Sequence, residues 1–366
     1  MSAITTYPSV TRDEAKLIIK TIGPGNPETG LDPVTVLLLS EPGVGKTQIL
    51  RDLSKEMGED EYDFIYVDGP NKEIMDIAAT IPNHESKSLE HYVAALFKMG
   101  NGKKKVIMID EALKVPKLMQ PIYTRLYLEH EVGDEKLPEG SIVFATSNNV
   151  SDGVGDMLPA HSANRVCILK MNKPSFKEWL PWATDMGISP LITAACAMHP
   201  RVFKSYTEPD QEDNPYIFNP KRAGQVSFAS PRSLHKCDPV VKSDLPNHVK
   251  LAAIAGLAGE TFARDLMAFV ELEFKVTKFD DIIKDPDSAK MPDANDSAPL
   301  LLMIFQALEH IDSQDKLNKF QRFMNRVESH EIQSIWFIVL LRSSKAKMAR
   351  LNPEVSKWAT ENMHLL

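Results

Sequence analysis

The sequence predicts an open α/β fold, a parallel sheet with helices on both faces, followed by an all-α domain. Three observations predict it. Apolar, partly β-branched runs alternate with helical patterns through the first part of the chain, a glycine-rich loop joins one such run to a helix, and beyond about Lys173 the strand signal fades while helical patterns take over. A length of 366 residues suits two domains better than one core.

Thr11 to Ile22 reads as a first helix, because Thr11 and Glu14 have capping-box spacing and Leu17, Ile18 and Ile19 supply an apolar side. Gly23 to Pro33, rich in glycine and proline, ends it. Val34 to Leu39 is a continuous apolar run of the kind that parallel sheets bury on both faces. Lys46 to Met57 is then helical up to Gly58, and Phe64-Ile65-Tyr66-Val67 reads as the next strand. Asp68 to Leu89 is longer than a simple connection needs, and Glu90 to Met99 reads as a helix. Val106 to Ile109 and Ile142 to Ala145 are two further buried strands. Between them lie a helical pattern over Lys117 to Glu129 and a short acidic hairpin or loop through Gly140. Ser175 and Glu178 open a helix to about Asp185, Ile188 to Met198 forms another, and Tyr206 to Ser230 is a long loop punctuated by prolines. From Arg232 onward the pattern is a helical bundle interrupted at Asp285 to Asp296. The division expected is 1–173 as the α/β core, 174–231 as a helical and loop connection, and 232–366 as a helical lid.

Composition excludes several classes. An apolar fraction of 43% and a charged fraction of 25% are those of a globular protein. Ile335 to Leu341 is the longest apolar run and falls far short of the roughly 18 residues that a bilayer requires. Met1 to Val10 has no basic or apolar leader region, so a cytoplasmic protein without membrane insertion is expected. Cys167, Cys196 and Cys237 lack paired spacing, which argues against disulfides and zinc. A net charge of −8 disfavours a general nucleic-acid coat. Lys103-Lys104-Lys105, the only basic run that invites such a partner, reads better as a solvated strand entrance.

The chemistry concentrates in two places. In Ser40-Glu41-Pro42-Gly43-Val44-Gly45-Lys46-Thr47, followed by Gln48, glycines let successive backbone N–H groups cradle phosphates, and the helix N-terminus adds its dipole. Lys46 would reach the terminal phosphates and Thr47 would ligate Mg2+, so the loop from Glu41 to Gln48 is an ATP-binding P-loop. Ser40 stands where that motif usually begins with glycine. Val106-Ile107-Met108-Ile109-Asp110-Glu111 is an apolar strand that ends in two acids. A carboxylate at such a strand tip is costly unless it serves a cation, so Asp110 is read as the second Mg2+ holder and Glu111 as the base acting on the attacking water.

These two motifs, their order and the helical lid resemble the AAA+ ATPases, and more narrowly the MoxR-like group that includes the CbbQ and RavA types. The resemblance covers nearly the whole chain and implies further residues. Ala145-Thr146-Ser147-Asn148 matches the strand end that reads A-T-x-N in the family, so Asn148 would be the sensor-1 amide, with Asn149 as the open alternative. Leu158-Pro159-Ala160 followed by Asn164-Arg165-Val166 resembles the segment leading into the arginine finger. Arg165 would then act in a neighbouring subunit's ATP site, although Val166 replaces the usual phenylalanine. Ser230-Pro231-Arg232-Ser233-Leu234 resembles sensor 2, with Arg232 sensing the γ-phosphate. Asp68 to Leu89 resembles the clade's insertion into the central pore, with Ile74, Met75, Ile77 and Ile81 as gripping residues, and Glu129 to Gly140 would supply a second, acidic pore hairpin.

The resemblance implies a homo-oligomeric ring, a hexamer in the family, that hydrolyses ATP to remodel a protein client with a separate von Willebrand factor A domain partner. A nucleic-acid motor of the same fold and a slowly hydrolysing scaffold are the alternatives. The acidic hairpin counts against the first.

Overall fold

The structure is a computed structural model and describes residues 8–26, 28–149, 164–222, 224–293 and 296–365. The chain divides into two compact units, Met1–Lys173 and Pro174–Leu366.

The first unit is built on a six-stranded, wholly parallel sheet. Its strands are β1 (Ser9–Val10), β2 (Val36–Ser40), β3 (Tyr62–Asp68), β6 (Lys104–Asp110), β9 (Ile142–Asn148) and β10 (Cys167–Met171), in the order β1-β10-β2-β9-β6-β3. The P-loop strand β2 is therefore central, and β9 separates it from β6. Alternation along each strand divides the core in two, as the pleat requires. Val36, Leu38, Val106, Met108, Ile142 and Phe144 pack on one face with Ala15 and Ile19 of helix α1 (Arg12–Ile22) and Ile49 and Leu53 of α2 (Gln48–Met57). Leu37, Leu39, Ile107, Ile109, Val143 and Ala145 pack on the other with Tyr123 and Leu126 of α3 (Gln120–Glu129). The continuous apolar runs follow from this burial on both faces. The capping box expected at Thr11 and Glu14 is present.

The structure differs from the sequence reading at several points. Strands β1 and β10 carry no strong signal of their own and form only by pairing with each other and with β2. The helix expected over Glu90 to Met99 is instead strand β5 (Ser88–Val93) followed by a 3-10 turn at Ala95–Phe97. With β4 (Ala78–Asn83), β5 makes an antiparallel hairpin whose turn is set by the Asn83 side chain, which accepts from the backbone N–H groups of Glu85 and Ser86. Ile77, expected to grip a substrate, is fully buried, whereas Met75 is 75% exposed. The acidic hairpin is formed, as β7 (Glu131–Val132) and β8 (Glu135–Lys136), and it is tied down. Arg125 holds Glu131 at 2.7 Å, and His91 of β5 meets Asp134 at 2.6 Å.

The basic run at the start of β6, expected as a solvated strand entrance, is not solvated at Lys105, which is drawn inward to the Asp63 carboxylate. Lys105 is fully buried, and its ammonium donates to Asp63 Oδ2 at 2.7 Å, Lys98 O at 2.9 Å and Asn101 Oδ1 at 2.6 Å. Burial alone would raise the Asp63 carboxyl, but its bonds from Lys105 and Asn101 outweigh that and hold it down at about 2.

The second unit is helical. Helices at Phe176–Asp185 and Pro190–Met198 share one core with those at Pro231–Lys242, Asn247–Ala258, Glu260–Leu272, Ser297–His310, Gln314–Met324 and His330–Arg342. The break expected at Asp285 to Asp296 falls between helices Phe279–Lys284 and Ser297–His310. Trp336 is fully buried within the unit and donates its indole N–H to Gln321 Oε1 at 2.8 Å. No helix among the described residues is long and apolar enough to cross a membrane. Cys196 and Cys237 are buried, and Cys167 is half-buried.

Candidate active site

Because all six strands run in parallel, the residues that follow β2, β9, β6 and β3 emerge along one edge of the sheet, where open α/β folds bind ligands. Register sets their spacing. Ser40 pairs with Asn148, Ile109 with Ala145, and Asp68 with Asp110.

The loop after β2 has the backbone its sequence implies. Gly43 at φ 81° and Gly45 at φ 99° take conformations that side chains oppose, and α2 begins at Gln48 with Thr47 as its N-cap. Glu41, Val44 and Lys46 are buried. Ser40 causes no conflict. It is the last residue of β2, lies outside the positive-φ positions, and is fully buried beside β9, so this position does not demand glycine.

Lys46 joins the strand ends. Its ammonium donates to Asn148 Oδ1 at 2.7 Å and to the carbonyls of Ser40 and Glu41 at 3.3 and 3.4 Å. Asn148 is thus the amide that faces the P-loop lysine, while the Asn149 backbone N–H donates to Ser40 O at 3.2 Å. Thr47 lies across from β6, its Oγ1 3.4 Å from Asp110 Oδ2. Gln48 sits in the first helical turn and reaches Asp52 Oδ1 at 3.4 Å.

The Asp110 carboxylate meets a donor on every side. Oδ2 faces Thr47 and also accepts from the Tyr66 hydroxyl at 3.0 Å; Oδ1 accepts from the Thr146 hydroxyl and, at 3.1 Å, from the Glu111 backbone N–H. Burial, together with the Asp110 charge, pushes the Tyr66 phenol upward, which keeps it a donor. Gly69 closes in from behind, since a Cβ there would stand 2.9 Å from the Asp110 carbonyl oxygen.

Glu111 has a left-handed backbone, φ 54° and ψ 38°, which costs a non-glycine residue roughly 1–3 kcal/mol. Strain of this kind concentrates where a side chain must be aimed. Its Oε2 lies 2.9 Å from Lys114 Nζ but accepts no directed hydrogen bond among the described residues.

The two arginines that the family resemblance implies are both exposed. Arg165 is exposed just before β10, and the preceding Leu158-Pro159-Ala160 lies outside the described residues. Arg232 is exposed in the first turn of its helix in the second unit, where Ser230 and Ser233 form a capping box. Neither has an ion-pair partner among the described residues.

The residues at the sheet edge fit a nucleotide with a hard divalent cation. They supply a backbone cradle of positive-φ glycines, a buried ammonium, and a hydroxyl and carboxylate 3.4 Å apart. No group of three or more His, Cys, Asp or Glu among the described residues could hold a metal alone.

A central β2, its glycine loop and the Asp110 strand two places away define a P-loop nucleotide-binding architecture. Residues 36–156 match the family model described as ATPase family associated with various cellular activities (AAA). Solved structures of Thermotoga maritima RuvB mutants are similar at 15% identity. One match covers 75% of this chain and 76% of that chain with a TM-score of 0.36. A second covers 75% and 71% with a TM-score of 0.34. None of the curated proteins matches the chain.

Tyr66 and Thr146 are the site residues that sequence reasoning missed as such. A signal existed for Tyr66: Tyr62, Phe64 and Tyr66 alternate along β3 and so share one face. What they face depends on register, which the local sequence does not disclose.

Proposed function

We propose that this chain is an ATPase of the MoxR-like group that works as a homo-oligomeric ring on a protein client, together with a separate von Willebrand factor A domain protein, in the cytoplasm. The observation that carries the ATPase reading is the convergence of Lys46 with Asn148 at 2.7 Å and of Thr47 with Asp110 at 3.4 Å on one sheet edge beside Glu111. Lys46 would hold the terminal phosphates, Thr47 and Asp110 would hold Mg2+, and the loop N–H groups from Gly43 to Gln48 would orient the phosphate chain. A bound Mg2+ supplies charge neutralisation to the phosphates. Glu111 would take the proton of the attacking water, and Asn148 would position that water or the γ-phosphate without adding charge.

The ring is supported by Arg165. An exposed arginine with no ion-pair partner among the described residues is available to a neighbouring subunit. Arg232 is assigned to γ-phosphate sensing by the family resemblance alone. The acidic hairpin, held in place by Arg125 and His91, favours a protein over a nucleic-acid backbone as the client.

The assembly is tested by turnover against subunit concentration. ATP hydrolysis per subunit should rise as dilute subunits are brought to micromolar concentration, in step with a larger sedimentation coefficient. A constant rate per subunit throughout would remove the ring from the proposal.

A further inference from the structure

Tyr66 is used by no part of the chemistry above, yet its hydroxyl sits on the oxygen of Asp110 that faces Thr47. The register explains how it gets there. Tyr66 pairs with Met108 across β3 and β6, and Asp110 is two residues further along β6 on the same face, a diagonal neighbour within reach of a tyrosine side chain. Thr146 reaches the same carboxylate from the other side and from a level position, because Ala145 pairs with Ile109 and the next residues along the two strands are Thr146 and Asp110.

An ionised carboxylate offers about four lone-pair directions. Here four donors occupy them: Thr146 Oγ1 and Glu111 N on Oδ1, Thr47 Oγ1 and Tyr66 Oη on Oδ2. Thr47 can turn its proton away and offer an oxygen lone pair instead, so it need not compete with a cation. The Tyr66 hydroxyl, at 3.0 Å, makes the shorter of the two bonds on Oδ2 and is not a ligand of the cation in this reading. Its proton remains on Oδ2 and draws charge from the oxygen that a metal or a metal-bound water would use. The orientation of Asp110 does not depend on Tyr66, since Oδ1 is held independently by β9 and by the backbone.

We propose that Tyr66 is a positioning residue that competes with the divalent cation for Asp110 Oδ2 and thereby restrains how tightly the metal couples to nucleotide binding. This rests on the reading that Thr47 and Asp110 hold Mg2+. Removing the hydroxyl should tighten the coupling, whereas a tyrosine that merely supported Asp110 would loosen it on removal.

The test compares wild type and Tyr66→Phe in binding a fluorescent, non-hydrolysable ATP analogue, once in EDTA and once in saturating Mg2+. The readout is the ratio of the two affinities. In Tyr66→Phe the metal-free affinity should stay within about twofold of wild type, while the ratio rises roughly three- to tenfold, the size expected from one released hydrogen bond. A ratio well above one in wild type that is unchanged or smaller in Tyr66→Phe would overturn the role of Tyr66 and leave the metal reading standing. A wild-type ratio of one would overturn both.

Discussion

Replacing Glu111 by glutamine is expected to preserve ATP binding and to lower turnover by about two to four orders of magnitude, the range typical of a lost general base. The substitution keeps size and shape and removes only basicity, so it isolates the proton-accepting role. The surroundings favour this outcome. Glu111 is held in a left-handed backbone conformation directly after Asp110, with one carboxylate oxygen buried and accepting no directed hydrogen bond among the described residues. Lys114 Nζ stands 2.9 Å from the same oxygen. Equilibrium binding of a fluorescent ATP analogue and phosphate release, measured on the same preparation, separate the two effects. Turnover equal to wild type would transfer the base role to another residue.

The second large effect is expected at Arg165. Arg165→Ala should reduce turnover by about three to five orders of magnitude if the guanidinium neutralises charge developing at a neighbour's site. Position in the chain does not distinguish that role from a structural one, but subunit mixing does. Lys46→Ala subunits lack the phosphate-binding ammonium yet retain Arg165. Combined with Arg165→Ala subunits in one ring, they create interfaces at which an intact P-loop meets an intact arginine, so part of the activity should return. A fluorescence signal between differently labelled variants establishes that mixed assemblies form. Mixed assemblies without any recovery would place Arg165 outside the active site.

The parts of the fold that were legible in the sequence are those whose burial leaves a local trace. β2, β6 and β9 are covered on both faces and read as continuous apolar runs, while Gly43 and Gly45 mark a loop whose backbone few other residues could follow. Thr11 and Glu14, three apart, mark the start of α1 as they should. The hairpin over residues 78–93 was not legible. Tyr92, Val93, Leu96 and Phe97 imitate helical spacing, but Phe97 is drawn into the core and Tyr92 is left 54% exposed on a strand. Tertiary pairing with β4 decided between the two. β10 was hidden for a similar reason, since Cys167 to Met171 acquires strand geometry from the exposed backbone edge of β2.

The candidate site shows the same division. Lys46, Thr47, Asp110 and Glu111 stand in short motifs with a fixed chemical logic and could be read directly. Asn148 was readable only as one of two adjacent amides until the pairing of Ser40 with Asn148 brought it to the Lys46 ammonium. Tyr66 and Thr146 were beyond reach because their contact with Asp110 depends on how β3, β6 and β9 align, a property of strands far apart in the chain. The left-handed backbone of Glu111 likewise has no signature in its own identity.

The most direct measurement is phosphate release from ATP by the wild-type chain, in Mg2+ and in EDTA, beside Lys46→Ala under the same conditions. Release should require Mg2+ and disappear in Lys46→Ala. Release that is equal in Mg2+ and EDTA, or that survives the loss of Lys46, would contradict the ATPase reading.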